Sequence, residues 1–221
     1  MSDYYHSLIH FVFIGIIALF PVVNPIGSAL IVNHYFTSLS RPEKRKAVMK
    51  ITIYAFLLCT ITVFAGHWIL ELFGITIPVI QVAGGIMICK TGWEFLSDKK
   101  SSEKNTDGTG KPTTKDDLDD QLFFPITFPI TTGAGTMAVL FTLSAHSATN
   151  DFKEYLFNTA ALMLSIILIC SMVYFLYLNT QTLLRYVGSN GERIINRIIA
   201  FLTFCVGLQI AVTGIKALTK I

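Results

Sequence analysis

The sequence predicts an all-α membrane protein, with six transmembrane helices in two inverted three-helix repeats and with the first and fourth helices broken. Three observations carry that expectation. Six long runs contain no Asp, Glu, Lys or Arg. The chain is apolar throughout, with a mean hydropathy of +0.60 and 14% charged residues. A proline motif occurs once in each half. A soluble domain of 221 residues would bury a core but keep solvated helix faces, and six charge-free runs leave almost none.

The runs are 4–40, 51–70, 72–89, 121–150, 155–184 and 198–215. Each reaches the roughly 18 to 20 residues that cross about 30 Å of hydrocarbon. Leu, Ile, Phe, Val and Ala dominate them without the strict alternation of barrel strands, so they read as helices. The first run has no basic leader and is too long for a signal-peptide core, which makes it a retained span.

Residues 20–26 and 124–130 both read F-P-x-x-x-P-I, and Pro21, Pro25, Pro125 and Pro129 are four of the seven prolines. A proline inside a helix removes a backbone donor and costs roughly 3 kcal/mol or more. In lipid, the freed groups persist only where protein or a water-filled cavity satisfies them. A duplicated break therefore points to a duplicated functional element.

Between the runs lie a basic loop (34–50), a short turn near Glu71 to Thr76, a polar linker, a short mixed loop near Asn150 to Glu154, and an Arg-bearing loop (185–197). The first, third and fifth carry thirteen Lys and Arg, from Arg41 to Arg197, against three (Lys153, Lys216, Lys220) on the other side. The positive-inside rule then puts both termini outside and the basic loops in the cytoplasm. The net charge of +3 reflects this topology and contact with anionic lipid, and does not call for a nucleic-acid partner. The expected organisation is a repeat over 1–97, a linker over 98–120 and a second repeat over 121–221. The linker ends in Asp116, Asp117, Asp119 and Asp120. It lacks the regular oxygen spacing and turn glycine of a Ca²⁺ loop, so it reads as a solvated tether, and no metal or cofactor is expected.

The third and sixth runs also match. Gly85 to Leu96 and Gly207 to Leu218 share G-x-x-I-x-x-T-G-x-x-x-L. Each half holds an odd number of spans, so the second copy enters the membrane inverted. The glycine pairs Gly85/Gly92 and Gly207/Gly214 lie seven apart, which suits close helix packing.

The breaks offer chemistry. After Asn24-Pro25 come Gly27 and Ser28, and after Pro129-Ile130 come Thr131, Thr132, Gly133, Gly135 and Thr136. Each restart is a helix N-terminus inside the membrane, with unpartnered N–H groups and a positive dipole end suited to a carboxylate. Glycine admits a ligand close to the backbone. Asn24, Ser28, Thr131, Thr132 and Thr136 add donors and acceptors, although the same residue types serve equally as N-caps. These nine residues are the candidate substrate-binding set.

Elsewhere the signals are thinner. Lys90 and Glu94 lie one turn apart, where a functional ion pair competes with simple snorkelling to the interface. His67 and His146 read as interfacial residues. Cys59, Cys89, Cys170 and Cys205 sit singly in four runs and read as free thiols. No H-E-x-x-H, G-x-S-x-G or P-loop pattern occurs, and Ser144 and His146 point to different helix faces, so no catalytic residue and no enzyme activity are expected.

The N-P-I-G of Asn24 to Gly27, the P-I-T-F-P-I-T-T-G-A-G-T of Pro125 to Thr136 and the closing T-G-I-K-A-L together resemble the MarC family of bacterial inner-membrane proteins, over essentially the whole chain. One departure is Ala134, where the family commonly has the proline of G-P-G. The resemblance implies a multi-pass secondary transporter of small neutral amino acids of the glycine and alanine type. Such a zwitterion needs an anion site and a cation site, which restarted helix ends, preceding carbonyls and Asn24 could supply. Alternating access between the repeats is the expected mechanism, with proton and sodium coupling both open. The alternatives are a channel for a small solute or ion, or a non-transporting membrane subunit. Six spans are few for an enclosed path, so a homo-oligomer is among the arrangements this reading allows.

Overall fold

The computed structural model describes residues 2–37, 39–97, 121–147 and 152–219. The linker 98–120 and its acidic run lie outside the described residues. All eight elements are helical: α1 (Ser2–Val23), α2 (Pro25–Phe36), α3 (Arg41–Phe73), α4 (Ile77–Ser97), α5 (Leu122–Thr131), α6 (Ala134–Ser147), α7 (Phe152–Leu178) and α8 (Thr180–Thr219). The segment α5 is wound in wide i→i+5 turns, with extended backbone at Phe124 and Phe128.

Each boundary has a local cause. Ser40 and Glu43 close a reciprocal capping box at the start of α3, with Pro42 in its first turn. Gly74 ends α3 in the left-handed region at φ 62°, returning its N–H to Glu71 O and Leu70 O, as glycine does at helix ends. That turn falls where the sequence expects one, inside 71–76. It also divides the third charge-free run, so α4 begins at Ile77 and not at 72.

Four stretches are long and apolar enough to cross a membrane: Ile9–Asn33, Arg41–Gly66, Lys153–Leu178 and Arg197–Thr219. A fifth forms if α5 and the start of α6, bent by 62°, count as one span. The third expected span, carried by α4, stays below that apolarity because Gln81, Lys90 and Glu94 interrupt it. Their outward faces are apolar at helical spacing. Ile9, Phe13 and Ile17 are exposed along α1, and Ile53, Leu57 and Ile61 along α3, which is the pattern of a lipid-facing surface.

Two expectations need correction. The loop expected over 185–197 is helix, because α8 runs unbroken from Thr180 to Thr219. Arg185 and Arg197 there are exposed, and contact with water or headgroups is compatible with helix. The basic loop of 34–50 is likewise short, with Arg41 to Lys50 forming the first turns of α3.

The halves interlock. Helix α4 lies along α8, and its glycines explain why. A Cβ on Gly85 would strike the backbone of Gly207 and Ala211, one on Gly92 the backbone of Ala200 and Phe204, one on Gly207 the backbone of Gly85 and Cys89, and one on Gly214 the Pro78 carbonyl. With no side chains between them, the backbones meet directly, which is the main source of helix affinity in lipid. Helices α1 and α2 pack on α7, α5 and α6 pack on α3, and α3 meets α7 at the centre. Leu19, Ile51, Ile88, Leu122, Leu140 and Ile166 fill that centre.

Candidate functional site

The two copies of F-P-x-x-x-P-I fold differently. In the first, α1 continues through Pro21 to Val23, and Asn24 alone turns left-handed at φ 45° before Pro25 restarts the helix. The break is mild enough that Ile9–Asn33 still reads as one span. Pro25 has no N–H for the Pro21 carbonyl four residues back. Thr203 of α8 partly replaces it, its single hydroxyl proton shared between Pro21 O at 2.9 Å and Ile199 O at 2.8 Å.

This restart is self-contained. Asn24 Oδ1 accepts from Gly27 N at 3.0 Å, and Asn24 O accepts from both Ser28 N and Ser28 Oγ at 2.9 Å. The space a Gly27 side chain would need holds the Asn24 amide itself. Asn24, Pro25, Gly27 and Ser28 thus form a capped helix start, the N-cap use that competes with ligand contact at such residues.

The second copy is open. Thr127, Thr131 and Thr132 each donate a hydroxyl to the carbonyl five residues back, on Leu122, Ile126 and Thr127. These bonds supply the carbonyls of the wide turns, as buried backbone in lipid requires. The chain then bends, and α6 starts at Ala134 with Gly133, which has no side chain, at the cap position. Its first-turn N–H groups have no intrahelical partner, and among the described residues no side chain caps them. Thr136 follows in that turn, 1% exposed, with its hydroxyl oxygen buried and unbonded. Gly135 faces Ile88 and Val22, so it serves packing.

The breaks converge. A cavity of ≈ 10 Å³, about what one water needs, is lined by Leu19 and Val23 just before the first break and by Thr131 and Thr132 just before the second. Ala55, Cys59, Ile166, Ile169, Cys170 and Val173 complete it. Thr136 does not line this cavity; it lies one turn further along α6. Cys59 and Cys170, single in the sequence, therefore meet at one place.

Tyr177 ties the two breaks together, and sequence reasoning missed it. It is fully buried near the end of α7. Thr131 gives its own proton to Ile126 O, so the Tyr177 phenol donates to Thr131 Oγ, at 2.8 Å. The same phenol interacts with the Ser28 side chain, and its ring meets Phe36 edge-on, with centroids 6.4 Å apart. Tyrosine in an apolar run carries no motif, and its partners lie 46 residues away or more, so only the fold assembles this link.

The other candidates separate from this site. Lys90 and Glu94 pair at 3.9 Å with side chains 67% and 61% exposed, the geometry of an interfacial snorkelling pair. Ser144 donates to Val63 O at 2.8 Å, which holds α6 to α3. The side chains of His67 and His146 lie outside the described residues.

A helical bundle with lipid-facing surfaces, spans interrupted at mid-depth and a polar seam between the interruptions defines a multi-pass integral membrane protein. The chain matches the MarC family integral membrane protein description over residues 9–219, and so it belongs to the MarC family. It is similar to the "UPF0056 inner membrane protein MarC" of Escherichia coli (strain UTI89 / UPEC), with 24% identity covering 94% of this chain and 95% of that protein. The protein of the same name from Shigella flexneri is 23% identical over the same shares. No solved structure matches.

Proposed function

We propose that this protein is an inner-membrane secondary transporter of small neutral amino acids, not an enzyme, working by alternating access between two inverted three-helix repeats. The observation that carries the reading is the open start of α6, where no described side chain caps the first-turn N–H groups and the Thr136 hydroxyl beside them is buried and unbonded. A helix N-terminus in a low-dielectric setting favours a carboxylate without a buried cation. Carbonyls and hydroxyls around the wide turns of α5 are the acceptors for an ammonium group. The missing side chain of Gly133 and the methyl of Ala134 suit glycine or alanine better than larger residues.

The repeat reading draws support from reciprocal packing, in which α1–α2 sits on α7 as α5–α6 sits on α3, while α3 meets α7 and α4 meets α8. In this arrangement α4 would be the third span and complete the count of six despite its lower apolarity, shielded along α8. A cavity of ≈ 10 Å³ is smaller than any amino acid, so binding requires the halves to part, which alternating access supplies.

The test is uptake of labelled alanine and glycine into proteoliposomes, with and without a proton or sodium gradient, comparing wild type with Thr136→Val. Asn24→Ala is a poorer control, because it removes a helix cap as well. Saturable uptake that follows one gradient and falls about tenfold or more in Thr136→Val, the effect of losing one hydrogen bond to a charged group, supports the carrier. Flux that is unsaturable and gradient-independent would point to a channel, and none at all in folded protein would reject transport of these solutes.

A further inference from the structure

At the end of the bundle where α3 begins and α7 gives way to α8, Lys44 turns inward from its basic neighbours. Its Nζ donates to Thr180 Oγ at 2.7 Å and stands 5.6 Å from the centre of the Phe36 ring. Thr180 is fully buried and passes its own hydrogen to Asn33 Oδ1 at 3.0 Å, with Tyr177 O a weaker second acceptor at 3.3 Å. Among the described residues no carboxylate pairs with Lys44. The neighbouring Arg41, Arg45 and Lys46 extend from the same turns.

A lysine has three N–H donors, of which Thr180 takes one and the aromatic face is a weak partner for another. An amide oxygen has two lone pairs, of which Asn33 Oδ1 uses one. The cluster therefore presents a spare cationic donor and a spare neutral acceptor on either side of one hydroxyl. That pairing complements the carboxylate and ammonium of a single α-amino acid. Inward from Phe36 comes Tyr177, and from Tyr177 comes Thr131, which lines the cavity.

We propose that Lys44, Thr180 and Asn33 form an outer binding site for the zwitterionic amino acid, in series with the inner site at α6 and separated from it by the Tyr177 ring. This rests on the carrier reading above. Solutes arriving from the basic end meet Lys44 first, pass Phe36 and Tyr177, and then reach the cavity.

The experiment measures initial rates of alanine flux from each end in proteoliposomes of known orientation, for wild type, Lys44→Gln and Lys44→Arg. Gln keeps a donor toward Thr180 without the charge, and Arg keeps the charge. Lys44→Gln should raise KM about tenfold from the basic end, as loss of one charge-assisted bond does, with little change from the opposite end and recovery in Lys44→Arg. An unchanged KM, or an equal loss from both ends, overturns the outer site while leaving the carrier intact. No alanine or glycine flux in folded wild type rejects the carrier and the outer site together. Should Lys44→Gln fail to fold, protection of wild-type Lys44 from an amine-reactive reagent decides. Protection by alanine supports the site. No protection overturns it, as does protection by anionic phospholipid in nanodiscs but not by alanine, which would assign Lys44 to a lipid phosphate.

Discussion

Thr131 and Thr136 are five residues apart, alike in chemistry and both buried, yet the structure gives them opposite roles. Thr131 donates to Ile126 O and accepts from Tyr177. Thr131→Val should therefore cost roughly 1 to 3 kcal/mol, since it strands two buried partners. Thr136 bonds nothing, and Thr136→Val should leave stability unchanged or slightly raised, because removing an unsatisfied buried hydroxyl at constant shape is nearly free. Thermal unfolding of the two variants in one detergent compares them, and equal losses would mean that Thr136 has a structural partner. Sequence marked both threonines as candidates without telling them apart. The difference depends on Tyr177 and on the helix register of α6, neither of which has a local signature.

At the scale of elements, the glycine rows of α4 and α8 were readable directly, because small residues seven apart in an apolar helix have few uses other than close approach. Gly85 and Gly207 meet each other's backbone, so a larger side chain has nowhere to go. Gly85→Leu should push the helices apart at a cost of about 1 to 3 kcal/mol or more, seen as loss of monodisperse protein on gel filtration. Normal behaviour of that variant would mean that the two helices do not pack along this seam. The breaks were only half readable. Proline placed them correctly, but the same seven-residue pattern gives a slight kink at Asn24 and a 62° bend before Ala134. The residue ahead of each restarted helix makes the difference, an asparagine that can cap itself in one case and a bare glycine in the other. The end of a helix was the least legible feature. The charge pattern places the end of the fifth span near 184, whereas Asn179 separates α7 from α8 and the arginines lie within helix.

For the whole molecule, the asymmetry of thirteen basic residues against three predicts that both termini face the periplasm. Tags at residue 1 and residue 221 should react with an impermeant reagent on intact spheroplasts, while a cysteine in the 98–120 linker should react only after lysis; the reverse pattern would invert the bundle. Composition made membrane residence legible from the start, since α1, α3, α4, α7 and α8 all carry large apolar residues outward. The meeting of Cys59, Cys170 and the two breaks at one cavity was not, because it requires helices distant in sequence to cross at one depth. A last consequence follows from the unequal breaks. Two matched helix starts would offer a ligand two equivalent poses, related by the internal repeat, and up to two molecules per chain. Asn24 has already occupied one of them. The degeneracy is thereby removed, so an amino acid held between the breaks should lie in a single head-to-tail direction, its carboxylate always toward α6.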